Sequence, residues 1–420
     1  MKSKNEFKNF ANSFQAVTVP GLERIGALCQ KLGNPQNATK FIHVAGTNGK
    51  GSTSANLACI LEAAGFKVGK YISPNLIKVN ERISINGTDI SDEELSELLD
   101  KIEPLSKEVE SELGLAPTQF EIWCAAAFLY FKKQKCDYVV LEVGLGGEFD
   151  ATNIIEENEL AIITRLGLDH TQYLGSTIEE VAAAKAGIIK RKCNTGAVVT
   201  VNQVPTALKV IERRASELGS RVLIPEYTPR YTEGTLEVFD CEGIEGIKCG
   251  ISGLHQIENT ALAVLAAKLL GISDEHIKIG VAAARNPARF ELIRENPTVI
   301  YDGGHNENGI EALVASLCRY FCNVEKTVIF ACMEDKDIKD SLRMLSENTH
   351  FVFTQVKDNP RAMKAETLST KAKALGFDGS TFESVGDAYE FALKQGRLTV
   401  ICGSLYLYRD FMEYLNKKEK

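Results

Sequence analysis

The segment Gly46-Thr47-Asn48-Gly49-Lys50-Gly51-Ser52-Thr53 holds the residue types best suited to chemistry. Its glycines let backbone N–H groups converge on phosphate oxygens. The apolar run Phe41-Ile42-His43-Val44-Ala45 before it reads as a buried strand. Leu57, Ile60, Leu61 and Ala64 recur at i, i+3, i+4 and i+7, which predicts a helix over 52–64. A glycine turn between strand and helix puts the partial positive charge of a helix N-terminus where an anion can sit. Lys50 reaches the terminal phosphates of a nucleotide, and a hydroxyl from Ser52 or Thr53 touches Mg²⁺. The spacing departs from G-x-x-x-x-G-K-[ST], because Gly51 separates the lysine from the serine. Glu142 ends a second apolar run, Tyr138 to Val143, just before Gly144, Gly146 and Gly147. A carboxylate at the C-terminal end of a sheet strand near a phosphate loop is a natural Mg²⁺ ligand.

The elements that must hold these groups follow from the alternation of short apolar runs with amphipathic stretches. Strands are predicted at Leu160–Thr164 and Ala197–Val201, with helices over 119–134 and near 177–190. Around 286–298 the prolines of Asn286-Pro287 and Asn296-Pro297 suit a linker. Beyond it Val299–Asp302, Thr327–Cys332, Phe351–Val356 and Leu398–Cys402 read as further strands. The fold class is therefore α/β with two domains: a mostly parallel sheet covered by helices on both faces over 1–290, and a smaller Rossmann-like unit over 298–420. The polar stretch 225–250 reads as a hairpin or insertion on the first domain.

Composition bounds the function. The 420 residues carry a net charge of −8, are 44% hydrophobic and 25% charged, and show no basic tract, so nucleic acid is not an expected partner. The eleven cysteines form no C-x-x-C pair, which fits a reducing compartment and gives no zinc framework. Met1 to Phe10 is polar, and no run approaches the roughly 18 apolar residues of a membrane span. A cytoplasmic monomer without membrane or nucleic-acid partners is the expectation.

The octapeptide at 46–53 resembles the phosphate loop of the Mur ligase superfamily, and the glycine after the lysine resembles its folylpolyglutamate synthase/dihydrofolate synthase branch. Further segments resemble that family in the same order. They are Tyr71-Ile72-Ser73-Pro74 with Asn80-Glu81-Arg82, Thr118-Gln119-Phe120-Glu121, Leu141-Glu142-Val143-Gly144, Leu168-Asp169-His170, Ala184-Lys185-Ala186-Gly187, His255 to Asn259, Pro287-Ala288-Arg289-Phe290-Glu291, Asp302-Gly303-Gly304-His305-Asn306, Asp335-Lys336-Asp337 and Gly403-Ser404-Leu405. The resemblance implies an ADP-forming ligase that joins L-glutamate to a folate or pteroate carboxylate through an acyl phosphate, with ATP and Mg²⁺. It implies that Gly46 to Thr53, Asn259, Arg289, Asp302 and His305 bind ATP. Ser52, Ser73, Glu142, His170 and a carbamylated Lys185 would hold metal, with Lys50, Lys185 and His170 as the catalytic set. Phe120 and Glu121 would face the folate, with Phe120 stacking on the pterin ring.

Closure of the second domain about a hinge near 286–298 is also implied. Trp123, and the segment 15–24 with Pro20, depart from the family pattern and bear on which folate form is preferred. A Mur-type peptidoglycan ligase is the runner-up, but residues 1–45 are too few for the additional N-terminal domain such enzymes carry. A P-loop switch NTPase is the alternative outside the ligases. Glutamate-dependent ADP release with a reduced pteroate or folate separates it from the folate-type ligase.

Overall fold

The computed structural model describes residues 20–418. Residues 15–19 of the divergent N-terminal segment, and the polar stretch Met1 to Phe10, lie outside that range. Within it the chain divides into two compact units. One runs through Thr228 and takes in Phe239–Lys248 and Glu258–Ala284; the other comprises Pro229–Val238, Cys249–Ile257 and the chain from Arg285 onward.

The first unit is built on eight strands: β1 (Lys40–Ala45), β2 (Val68–Tyr71), β3 (Ile83–Ile85), β4 (Thr88–Asp89), β5 (Tyr138–Glu142), β6 (Leu160–Ile163), β7 (Ala197–Thr200) and β8 (Arg221–Leu223). Their order is β8-β7-β6-β1-β5-β2-β3-β4, and all pairings from β8 to β2 are parallel, with an antiparallel end at β3 and β4. β1 is central, flanked by β5 and β6, so the loop after it leaves from the middle of the sheet's C-terminal edge. Strands buried on both faces need continuous apolar runs, and all four residues of β6 and all four of β7 are buried.

The helices that bear on the site are α1 (Lys50–Ala63), α2 (Gln119–Gln134), the one-turn α3 (Thr171–Leu174), α4 (Ile178–Ala186), α5 (Gln256–Leu269) and α6 (Asp274–Ala283). α1 is buried from Ser52 to Ala58 and again at Ile60 and Leu61, as a helix enclosed by the fold must be.

α2 begins with a capping box. The Thr118 hydroxyl accepts from the Glu121 N–H, and the Glu121 carboxylate accepts from the Thr118 N–H at 2.6 Å. Glu121 also pairs with Arg24 at 3.0 Å, with both side chains buried. The Glu121 carboxylate, expected at the folate, holds a helix start and neutralises a buried guanidinium in this structure. Glu121→Ala removes the buried carboxylate that the Arg24 guanidinium and the start of α2 share. It is expected to destabilise the fold by about 3–5 kcal/mol, read as a lower urea midpoint of the first unfolding transition. Trp123 is buried in the core among Leu98, Ile122 and Phe128, which makes it a packing residue.

The second unit carries a six-stranded sheet. Its strands are β9 (Glu291–Arg294), β10 (Val299–Tyr301), β11 (Lys326–Phe330), β12 (Thr349–Phe353), β13 (Gly379–Thr381) and β14 (Leu398–Cys402), in the order β9-β10-β14-β11-β12-β13. Only the β9–β10 pairing is antiparallel. The proline-marked stretch read as a linker thus contains an edge strand, where Pro297 just beyond it is tolerated.

The stretch 225–250 forms three strands, Tyr227–Glu233, Leu236–Cys241 and Ile244–Lys248, as a hairpin reading requires. Part of it groups with the second unit and not with the first, as the sequence had suggested. The reason is polar. Glu237 is fully buried and accepts from Arg319 Nε at 3.3 Å and from the Tyr320 hydroxyl at 2.8 Å, both at the end of α7 (Glu307–Tyr320). All eleven cysteines are free thiols. No described helix is long and apolar enough to cross a membrane.

Candidate active site

The loop from Gly46 to Gly49 joins β1 to α1 and is tied down along its length. Gly46 has φ 151°, and a Cβ there would lie 1.8 Å from Thr164 Oγ1. Gly49 has φ 93° and would meet Asn259 Oδ1 at 2.2 Å. Only glycine fits both the backbone and the space at these two positions. Gly46→Ala is expected to displace the Thr164 side and to abolish nucleotide binding. The strain alone is on the order of 1–3 kcal/mol. Titration with MgADP checks it.

Two of the loop's amides do not converge on a phosphate cradle, contrary to the sequence reading. Thr47 N–H and Asn48 N–H both donate to the Arg165 carbonyl, at 3.0 and 3.2 Å. The Thr47 hydroxyl donates to the Gly167 carbonyl at 2.9 Å. The anion-facing part of the loop is instead the start of α1, where Gly49 is the N-cap and no side chain caps the helix. The two hydroxyls also separate. Thr53 Oγ1 donates to the Asn259 carbonyl at 3.3 Å, so Thr53 fastens α5 and Ser52 is the better candidate for Mg²⁺.

Two lysines meet on one carbonyl. Lys50 Nζ donates to Gly46 O at 2.9 Å and to Thr47 O at 3.3 Å, while Lys185 Nζ, from the last turn of α4, donates to Gly46 O at 2.9 Å. Lys185 is buried, and burial pushes its ammonium down to about 7, helped by the positive charge of Lys50 and opposed by Asp169 and Asp150. Burial thus favours the neutral amine at this position.

Glu142 closes β5 one strand away, in register with Val44, and is buried. The turn after it packs closely. Gly144 lies against the Phe120 ring, and Gly147 against the backbone of Ala184 and Lys185. Phe120 is half-buried and also faces Tyr71, with ring centroids 6.0 Å apart.

Asp150 pins this turn. It accepts from the Leu145 N–H at 2.8 Å, the Thr152 N–H at 3.0 Å and the Thr152 hydroxyl at 2.6 Å. The sequence reading missed it, although Asp-x-Thr is an Asx-turn signal. Ser73 sits half-buried in the loop after β2, where the Glu81 carboxylate gathers the N–H groups of Leu76, Ile77 and Lys78. His170 is exposed at the N-cap of α3 with φ 50°.

Among the described residues no three His, Cys, Asp or Glu side chains form a ready-made metal cluster. Mg²⁺ rarely uses an all-protein cage and is held by one or two carboxylates, water and substrate phosphates. The oxygen donors of Glu142 and Ser52 beside the loop fit that ion.

In the second unit two of the sequence segments form one structure. Asp302 is buried; its Oδ1 accepts from Gly304 N–H at 2.7 Å and its Oδ2 from Phe290 N–H at 2.9 Å. The Gly303 N–H donates to Ala288 O at 2.8 Å, and Arg289 Nη1 lies against Gly303. His305 Nδ1 donates to Gly303 O at 2.9 Å. Burial holds His255 below the usual histidine range, with Asp302 raising it and Arg289 lowering it. Asp302 therefore joins the segments around 289 and 303.

Comparison with known proteins accounts for this arrangement. Residues 44–267 match the Mur ligase middle domain and residues 288–405 the Mur ligase glutamate ligase domain. The chain is 38% identical to the dihydrofolate synthase/folylpolyglutamate synthase of Bacillus subtilis, over 94% of this chain and 95% of that one. The chain belongs to the folylpolyglutamate synthase/dihydrofolate synthase family. A second member of that family, from Escherichia coli, is 32% identical over 95% of this chain and 92% of its own. The solved folylpolyglutamate synthase of Mycobacterium tuberculosis, complexed with ADP and AMPPCP, superposes with a TM-score of 0.89 at 29% identity, covering 97% of both chains. An Escherichia coli structure of the family, in complex with DHPP and ADP, gives 0.88 at 28% identity over 99% of this chain and 98% of that one.

Proposed function

We propose that this protein joins L-glutamate to a folate-type carboxylate at the expense of ATP, through an acyl phosphate, releasing ADP and phosphate. The carrying observation is the convergence of Lys50 and Lys185 on Gly46 O, beside the uncapped start of α1. The carboxylate is a poor electrophile until phosphorylated. The glutamate amine then attacks the acyl carbon, and phosphate leaves with the C–O electron pair.

The protein's part is placement and charge. The first turn of α1 holds the phosphates, and Lys50 swings from its loop carbonyls to the transferring phosphoryl group. Bound Mg²⁺ would neutralise phosphate charge, held by Ser52 and Glu142, with Ser73, His170 and Lys185, carbamylated to a carboxylate-like group, as further ligands. Phe120 is the aromatic wall assigned to the pterin. The roles of Asn259, Arg289, Asp302 and His305 toward ATP rest on the family resemblance. Residues 1–290 are assigned to nucleotide binding and 298–420 to the glutamate ligase domain.

The protein acts on small molecules as a cytoplasmic monomer. Eleven free thiols and a net charge of −8 support a reducing compartment and no nucleic-acid partner. The test is ADP release with dihydropteroate or tetrahydrofolate, with and without glutamate, and the product identified by mass. One added glutamate per ADP is expected. ADP release that ignores both acceptors would show a switch NTPase instead.

A further inference from the structure

Arg165 lies just past β6 and belongs to no segment singled out by sequence. Its carbonyl is the acceptor for both Thr47 N–H and Asn48 N–H, while the neighbouring Thr164 hydroxyl donates to Asn48 O at 2.7 Å. Its guanidinium reaches the opposite way. Nε donates to Glu258 Oε1 at 3.1 Å, Nη2 bonds Glu258 Oε2, and Nη1 donates to Asn202 O at 2.8 Å. Glu258 stands in the first turn of α5, next to Asn259, the residue that packs on Gly49 and accepts from Thr53.

One residue thus grips the phosphate loop with its main chain and the Asn259 helix with its side chain. The grip is a planar fork on a carboxylate, a geometry lysine cannot reproduce. The Arg165 side chain is 41% exposed and Glu258 19%, and a pair this open to water contributes little to global stability. Its consequence is positional.

We infer that Arg165 is a positioning residue that fixes the phosphate loop relative to Asn259 and thereby sets the affinity for the nucleotide. The inference rests on the nucleotide reading of the loop. When the fork is lost, Glu258 and α5 shift away from Gly49, and the loop keeps its local fold but not its distance from Asn259. Displacements of that kind cost far more in binding than in stability.

The test compares Arg165→Ala, Arg165→Lys, Glu258→Ala and the double alanine variant, using MgADP titration and steady-state kinetics. Arg165→Ala should weaken MgADP and raise the KM for ATP by about 10-fold, with the KM for glutamate and for the folate moved by less than about twofold. Arg165→Lys should recover only part of the loss. The double variant should be no worse than either single one, since both remove the same contact. An unchanged MgADP affinity in Arg165→Ala would overturn the inference. So would additive losses in the double variant, or a rise in every KM together with a lower Tm. Failure of the ligase reading shows separately, as wild-type protein that binds MgADP but never makes a glutamylated product.

Discussion

Lys50→Ala is expected to lower glutamate-dependent ADP release by about 10³-fold or more while leaving the fold in place. The size follows from the work assigned to this side chain. Phosphoryl transfer offers the protein little covalent chemistry, so charge placed on the moving phosphoryl oxygens is most of what it contributes. Lys50 is the flexible cation of the loop itself, and its present bonds are to the carbonyls of Gly46 and Thr47, only 2.9 and 3.3 Å away. Those bonds are local and half-exposed, so removing them costs little stability. The variant should melt within a few degrees of the parent. The loop's shape survives because Thr164, Arg165 and Asn259 hold it as well. Removing Lys50 also removes a positive neighbour that depresses Lys185, so the amine of Lys185 should titrate higher in the variant. Ligation at parental rate by a well-folded Lys50→Ala protein would mean that the loop does not serve a nucleotide at all.

The parts of this molecule that could be read from sequence are those encoded locally. Phe41–Ala45 and the helix after it were legible because burial on both faces forces a continuous apolar run, and a glycine turn has few other uses there. Thr118-x-x-Glu121 carries the spacing of a capping box, and the structure uses it as one. What sequence spacing could not show is partnership across the chain. Arg165 and Glu258 are 93 positions apart, and Lys185 lies 139 positions from the carbonyl it touches. Such pairs are set by strand order, β6 beside β1, which no local pattern specifies. Asp302 shows the same limit in the second unit. Its two carboxylate oxygens hold the backbone of Phe290 and Gly304, and residue 290 lies 12 positions away.

Lys185→Ala should abolish ligation, and the parent protein should take up CO₂ at this one amine. The chemistry needs a neutral nitrogen: the lone pair forms a C–N bond to CO₂ and one proton departs, turning a neutral amine into an anion beside Gly46. An ordinary lysine is almost wholly charged near pH 8. With its pKa pushed down to about 7 by burial, the neutral amine of Lys185 is the favoured form there. The sign of the pH effect follows. As pH falls through 7 the amine is protonated, CO₂ uptake declines and activity should fall with it. The unfolded chain binds this proton up to the normal lysine range, so between about 7 and 10.5 the stability contribution of this group rises with pH. Labelled bicarbonate and carbon NMR provide the measurement. A carbamate resonance is expected in the parent, growing from pH 6 to pH 8, and absent in Lys185→Ala. Short carboxylates such as formate should restore part of the lost activity, since an anionic oxygen pair is what the variant lacks. A parent protein at full activity with no such resonance would leave Lys185 as a plain amine on Gly46 O, and would take it out of the metal's ligand set.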